Sequence, residues 1–171
     1  MKRRILIFTT LVCLVILGFI TGCSKFKEYK CESGGFIVNF PGTPEEQKQT
    51  LNTEAGSIDM YIYSVTKSNM GLAVAYCDCP DNDAEPNDIL DGACEGAVAN
   101  SKGKLLSDLN IEYDSYPGRK IKYEIAGGKI IQLQQVYLVN NRLYTLIVST
   151  EPDDMYSKDI TKFFDSFKLI K

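Results

Sequence analysis

The chain has 171 residues, enough for one domain with a sizeable hydrophobic core and too few for two ordinary domains. Hydrophobic residues make up 44% and charged residues 24%, a balance typical of a globular protein. The net charge of −3 argues against a basic nucleic-acid-binding surface, so no nucleic-acid partner is expected. Histidine is absent, which excludes Ser-His-Asp triads, Cys-His dyads and imidazole metal sites.

The amino-terminal segment has the parts of an export signal. A basic start over residues 1–4 is followed by an apolar run over 5–20. The run is near the lower length limit for a membrane-spanning helix, so a plain anchor helix is the alternative. The sequence Ile-Thr-Gly-Cys at 20–23 resembles the bacterial lipobox. That resemblance implies transfer of a diacylglyceryl group to the Cys23 thiol and cleavage before it.

The chain is therefore predicted to divide into three parts. Residues 1–22 are a lipoprotein signal peptide, residues 23–33 are the lipidated cysteine and a tether, and residues 34–171 are a single domain. The lipid on Cys23 would hold the protein on the extracytoplasmic side of the cell membrane or outer membrane. The membrane is then one partner, reached through the anchor.

Most segments after the tether alternate apolar and polar residues, which is the period of a half-buried strand. The predicted strands cover residues 36–40, 47–53, 57–66, 71–77, 104–113, 119–126, 129–139, 143–148 and 167–170. The two asparagines at 140–141 favour a two-residue hairpin turn because asparagine tolerates a positive φ. Such a turn places Tyr137 opposite Tyr144. Short turns of this kind predict a mainly antiparallel sheet.

Two segments have helical spacing, over residues 88–102 and 153–165. The strand at 143–148 is apolar on both faces and therefore requires cover on both. The sequence thus predicts an α+β fold, a mainly antiparallel β-sheet flanked by helices on both faces in an α/β/α sandwich.

Four segments occur in an order that resembles a known group of exported bacterial proteins. They are residues 36–44, 116–119, 137–144 and 163–169. The group is similar in fold to PsbP, the extrinsic photosystem II protein, and to the Ran-binding Mog-type proteins. The resemblance covers residues 34–170 and implies a PsbP-like domain that binds protein partners and is not a catalyst. Lys120 and Gln135 depart from the pattern, which commonly has an acidic residue and an arginine at these positions.

Four cysteines remain outside the signal peptide and the lipidation site: Cys31, Cys77, Cys79 and Cys94. An exported location favours disulfide bonds between them. Cys77 and Cys79 share one strand face with Cα atoms roughly 6.5–7 Å apart, at the limit of bridging geometry. The helix that follows doubles back over this strand and brings Cys94 towards Cys77. We therefore predict Cys77–Cys94 and, by exclusion, Cys31–Cys79.

A soft-metal site is the alternative use of the same thiols. Cys77 and Cys79 can present two thiolates to copper(I) or zinc, with Cys94 as a third ligand. The acidic run at 81–85 begins like a calcium loop but lacks the glycine and the final glutamate of that motif. The sequence therefore predicts no cofactor and no metal as its first interpretation.

No catalytic constellation is visible, so the chain is predicted not to be an enzyme. The expected function is a non-catalytic protein-binding or assembly module with an unknown envelope protein as partner. Arg119, Arg142 and Tyr116 lie beside turns and are candidates for the partner surface, since tyrosine and arginine are enriched at interfaces. The alternative function is small-ligand or soft-metal binding through the Cys77/Cys79/Cys94 region.

Overall fold

The computed structural model describes residues 25–53, 56–80 and 84–170. The described strands are β1 (Lys27–Cys31), β2 (Phe36–Phe40), β3 (Glu45–Thr53), β4 (Gly56–Lys67), β5 (Met70–Asp78), β6 (Lys104–Tyr113), β7 (Tyr116–Ile125), β8 (Ile130–Val139), β9 (Arg142–Thr150) and β10 (Lys168–Leu169). The α-helices are α1 (Pro86–Asn100) and α2 (Lys158–Asp165). The predicted signal peptide and Cys23 lie outside the described residues. Within the described ranges, no helix has the length and apolarity needed to cross a bilayer.

The strands form two antiparallel sheets. The large sheet has the order β3-β4-β5-β9-β8-β7-β6, and the small sheet has the order β1-β2-β10. The predicted two-residue turn between β8 and β9 is confirmed, since Tyr137 lies opposite Tyr144 and Asn140 has a φ of 53°. The mainly antiparallel sheet is therefore confirmed as well.

The prediction of helices flanking both faces is wrong. Helix α1 packs on one face of the large sheet, but the other face is covered by the small sheet together with the short helix α2. Residues 27–31, expected within the tether, pair with β2 as β1 and so form one edge of the small sheet in that second layer. The predicted second helix is also shorter, because the chain makes a separate 3-10 turn at Pro152–Asp154 and Ser157 caps a new helix. The result is a β-rich fold and not an α/β/α sandwich.

The first core lies between the two sheets and is rich in aromatic rings. Phe36 on β2 is fully buried, and its ring centroid lies 5.8 Å from that of Tyr63 and 6.0 Å from that of Phe167. It also meets Tyr76 and Tyr144 edge-on, each with centroids 6.3 Å apart. Edge-to-face pairs of this kind add about 0.5–1.5 kcal/mol each beyond area burial. Phe36 therefore joins β2 to β4, β5 and β9 at one point.

The second core lies beneath α1. Leu90 and Cys94 on the helix are buried against a group of apolar side chains on the large sheet. That group comprises Cys77, Ile121, Tyr123, Val136, Leu138 and Leu143. Helix α1 contacts β7 and β8, so it covers this face towards the β6 end of the sheet.

Replacing Phe163 by alanine tests whether α2 is part of the first core. Phe163 is fully buried, so the variant should lose about 3–5 kcal/mol of unfolding free energy through the cavity it leaves. Denaturant unfolding followed by tyrosine fluorescence measures this loss. The matched control is Phe164→Ala on the same helix, where the half-buried ring should lose clearly less. Equal losses from both variants would contradict the packing of α2.

Candidate functional site

The edge strand β6 stands out on the surface of the large sheet. It pairs with β7, and no strand of the described residues pairs with its outer edge. Leu105, Leu106 and Leu109 on this strand are 48%, 42% and 58% exposed. The opposite edge strand, β3, instead carries exposed polar and charged residues such as Glu45 and Lys48. Charged side chains hinder association with further strands. β6 also carries exposed charges, but its three leucines leave an apolar stretch on this edge.

A β-bulge in β6 changes which face of the sheet its side chains point to. The register shifts between Leu105 and Ser107, so that Leu105 lies opposite Tyr123 and Ser107 opposite Lys122. Leu105 therefore faces α1, while Ser107 and Leu109 face the side of α2. Each face of the strand borders a groove.

The groove on the α2 side has a volume of about 400 Å³ and is called the α2 groove here. Strands β6, β7 and β8 form its floor, and α2 with the turn before it forms its wall. Leu109, Leu133 and Phe164 give it an apolar lining. Lys120 and Lys122 lie on its floor, so positive charge is concentrated beside β6.

The groove on the α1 side has a volume of about 420 Å³ and is called the α1 groove. It runs between α1 and β6, and Asp91, Glu95 and Asp108 line it. Arg119 on β7 is the basic residue in this lining; it forms ion pairs with Asp91 and, at 3.4 Å, with Asp108. Three carboxylates facing one guanidinium leave this groove negative. The two grooves beside β6 therefore carry opposite charge.

The sequence predicts Arg119 and Tyr116 as partner-surface residues. The Arg119 side chain is only 17% exposed because Asp91 on α1 and Asp108 on β6 enclose it. It joins the helix to the edge strand at the base of the α1 groove. Tyr116 is half-buried opposite Tyr113, where β7 leaves the β6–β7 turn.

Arg142, the third predicted surface residue, makes internal contacts. Its Nε and Nη2 donate to the two carboxylate oxygens of Asp78 at 2.6 and 2.9 Å. Its Nη1 donates to the carbonyl oxygen of Ser33 at 3.1 Å, and its guanidinium lies 5.0 Å from the centre of the Tyr76 ring. Arg142 thus fastens β9 to β5 and to the β1–β2 turn. The structure does not bring it together with Arg119, whose ion pairs are with α1 and β6.

The four cysteines are free thiols in the structure. Cys31 is buried in the first core, where its Sγ accepts a hydrogen bond of 3.2 Å from the Gly34 amide. Cys77 and Cys94 are both buried in the second core, and burial raises the pKa of each thiol to about 11. Burial also raises the pKa of Cys79. The Cys77–Cys94 and Cys31–Cys79 disulfides stay predictions.

The soft-metal alternative finds no support in the described ranges. They contain no group of three or more cysteine, aspartate or glutamate side chains placed to hold a metal ion. Neutral thiols with raised pKa values are also poor ligands, because a metal binds the thiolate. Part of the acidic run, residues 81–83, lies outside the described residues.

The two departures from the PsbP-like pattern lie together. Lys120 on β7 is directly opposite Gln135 on β8, so these positions form a cross-strand pair. Both residues line the α2 groove. The Gln135 amide oxygen accepts a hydrogen bond of 2.9 Å from the Tyr137 hydroxyl. Lys120 therefore lies opposite a neutral amide. Because the amide does not offset the charge of Lys120, that lysine adds to the positive charge of this groove.

Comparison with known proteins supports the fold. No protein-family model and no curated protein matches the sequence. The structure is similar to the solution structure of cyanobacterial PsbP (CyanoP) from Synechocystis sp. PCC 6803, with a TM-score of 0.61 and 14% identity. That match covers 87% of this chain and 95% of CyanoP. At this identity the likeness shows the fold alone, so the chain has a PsbP-like fold.

Two further solved structures match less well. One is PA94, a Pseudomonas aeruginosa protein of unknown function, with a TM-score of 0.44 and 14% identity over 80% of this chain and 90% of that one. The other is from Bacteroides thetaiotaomicron VPI-5482, with a TM-score of 0.48 and 9% identity over 85% of this chain and 49% of that one. The comparisons indicate no catalytic family. They do not support the resemblance to Ran-binding Mog-type proteins.

The ion pair of Arg142 makes a pH-dependent contribution to stability. Hydrogen bonds from Arg142 hold the pKa of Asp78 below its usual 3.8. A carboxylate whose pKa is lower in the folded protein stabilises it above the unfolded pKa, and this contribution is lost as the pH falls through the folded pKa. Asp78→Asn should therefore lower the unfolding free energy at pH 7. The loss should be roughly 0.2–1 kcal/mol, because solvent screens an ion pair whose carboxylate is 64% exposed.

Urea unfolding of wild type and Asp78→Asn at a series of pH values measures this effect. The difference between the two proteins should shrink as the pH falls below about 4. Asp154→Asn, at an exposed position in the 3-10 turn, is the control and should leave stability at pH 7 nearly unchanged. A difference for Asp78→Asn that stays constant across the pH range would contradict the ion-pair explanation.

Proposed function

We propose that this chain is a lipid-anchored protein of the cell envelope that works as a non-catalytic binding or assembly module. In this proposal the edge strand β6 meets a protein partner. The observation that carries it is the row of three exposed leucines between two grooves, on an edge with which no strand of the described residues pairs. Proteins usually protect such edges, and an exposed apolar patch in a groove is typical of an interaction site.

The predicted anchor is consistent with this role. Strand β1 begins at Lys27, only four residues after Cys23. Four residues span at most about 14 Å when fully extended. A lipid on Cys23 would therefore keep the domain close to the bilayer surface, where its partner would be an envelope protein. The thiol region is not proposed as a ligand site, given the buried, neutral cysteines described above.

Lipid attachment can be tested at the predicted cysteine. Cells that express the full chain should incorporate an alkyne-labelled fatty acid into it, and Cys23→Ser should abolish the label. Cys13→Ser is the matched control, because Cys13 lies in the segment that cleavage removes and its variant should keep the label. A labelled Cys23→Ser chain would contradict the lipoprotein assignment. An unlabelled wild-type chain that stays uncleaved in the membrane would favour the plain anchor helix.

The partner surface can be tested in the cell by site-specific crosslinking. A photo-crosslinking amino acid at Leu109 on β6 should give a discrete adduct with an envelope protein. The same amino acid at Gln49, an exposed position on the β3 edge, is the control and should not give that adduct. The Leu106→Lys substitution should weaken the Leu109 adduct, since it places a charge on the apolar edge. Absence of an adduct at Leu109, or equal adducts at both positions, would contradict β6 as the partner edge.

A further inference from the structure

We infer that the partner adds an extended strand to β6 and that this strand alternates basic residues with acidic or apolar ones. The inference rests on the proposed function, in which β6 is the partner edge, and specifies the chemistry of the segment it binds. Basic side chains would enter the α1 groove. Acidic or apolar side chains would enter the α2 groove.

The backbone of β6 suits strand addition. Nine of its ten residues pair with β7 on one side, Leu106 being left out at the bulge, and no described strand occupies the other side. An added strand would take its main-chain hydrogen bonds from that free edge, while pockets for alternate side chains would select its sequence. The α1 and α2 grooves border opposite faces of β6. Side chains of an extended peptide alternate between the same two faces.

The charges of the grooves select the residues of the added strand. In the α1 groove, Asp91, Glu95 and Asp108 outnumber Arg119, so lysine or arginine is favoured there. The α2 groove holds Lys120 and Lys122 against the single carboxylate of Asp165, together with apolar side chains. Glutamate, aspartate or leucine is favoured on that side.

The same charges disfavour a second copy of the chain as the occupant. In an antiparallel pairing of two β6 strands about a twofold axis normal to the sheet, the α1 faces of both copies lie on the same side. The second copy would then bring its own Asp108 and Glu112 alongside the acidic α1 groove, because both residues face α1. Like charges placed opposite one another in a sheet are destabilising. A strand with basic residues on this face fits better.

A synthetic peptide provides the test. The probe is as long as β6, alternates lysine with glutamate or leucine, carries a fluorophore and is titrated with the full chain in detergent. Fluorescence anisotropy should show saturable binding. A peptide of the same composition, with its lysines and glutamates in separate blocks, should bind at least about tenfold more weakly, equivalent to roughly 1.4 kcal/mol.

Two further arms separate strand addition from nonspecific charge attraction. Two N-methylated versions of the probe are made. One is methylated at the odd-numbered residues and the other at the even-numbered residues. Methylation of the amides that face β6 should abolish binding, because it removes the hydrogen-bond donors of the added strand. Methylation of the amides that point away from β6 should leave binding nearly unchanged. On the protein, Lys120→Glu combined with Lys122→Glu should weaken binding about tenfold. Lys27→Glu on β1, an exposed lysine on another sheet, is the control and should have little effect.

The outcomes distinguish this inference from the proposed function. If Leu109 crosslinks to an envelope protein but both methylated probes bind like the parent, strand addition is overturned and the partner edge stands. Failure of the unmethylated alternating probe to bind, with the same crosslink present, also overturns the inference alone. A Leu109 adduct with a second copy of the chain overturns it in favour of self-association. Loss of the crosslink itself overturns the proposed function.

Discussion

The two-sided burial of the central strands is the constraint on which the rest of the fold depends. β5 and β9 carry apolar side chains on both faces, including Tyr76 and Tyr144 on one and Cys77 and Leu143 on the other. Each face must therefore be covered. Helix α1 covers one face towards the β6 end, and the small sheet with α2 covers the other. These two layers leave a groove on either side of β6. The candidate site therefore results from the way in which α1 on one face, and the small sheet with α2 on the other, cover the central strands.

Much of the fold could be predicted from sequence because its strands have a clear local period. The strand ranges, the two-residue turn at 140–141 and the need for cover on both faces all follow from neighbouring residues. The presence of a small second sheet on the face opposite α1 could not be predicted in that way. Residues 27–31 are mostly charged and exposed, and they become a strand only because β2 lies beside them. Long-range pairing overrides local composition in such a segment.

The candidate site was less predictable for a related reason. Arg119 and Arg142 lie beside turns, where a charged residue is usually solvated, but each finds carboxylates that the fold brings to it. Asp78 lies 64 positions from Arg142 in the sequence, so no local pattern could reveal their pairing. The position of β6 at the edge is likewise a property of strand order. The available indication was the adjacent pair Leu105 and Leu106, which breaks the alternation expected of a strand with one buried face.

The two edges of the large sheet differ in the side chains that they expose. At β3, Lys48 forms an ion pair with Asp59 at 2.8 Å, and charged or amide side chains continue along the strand. At β6 the backbone has a bulge but the leucines remain exposed. If Cys23 carries a lipid, the domain and an envelope partner share one surface, which raises their effective concentration. A short added strand of modest affinity would then suffice, and the opposite charges of the two grooves would supply the selectivity that backbone hydrogen bonds alone lack.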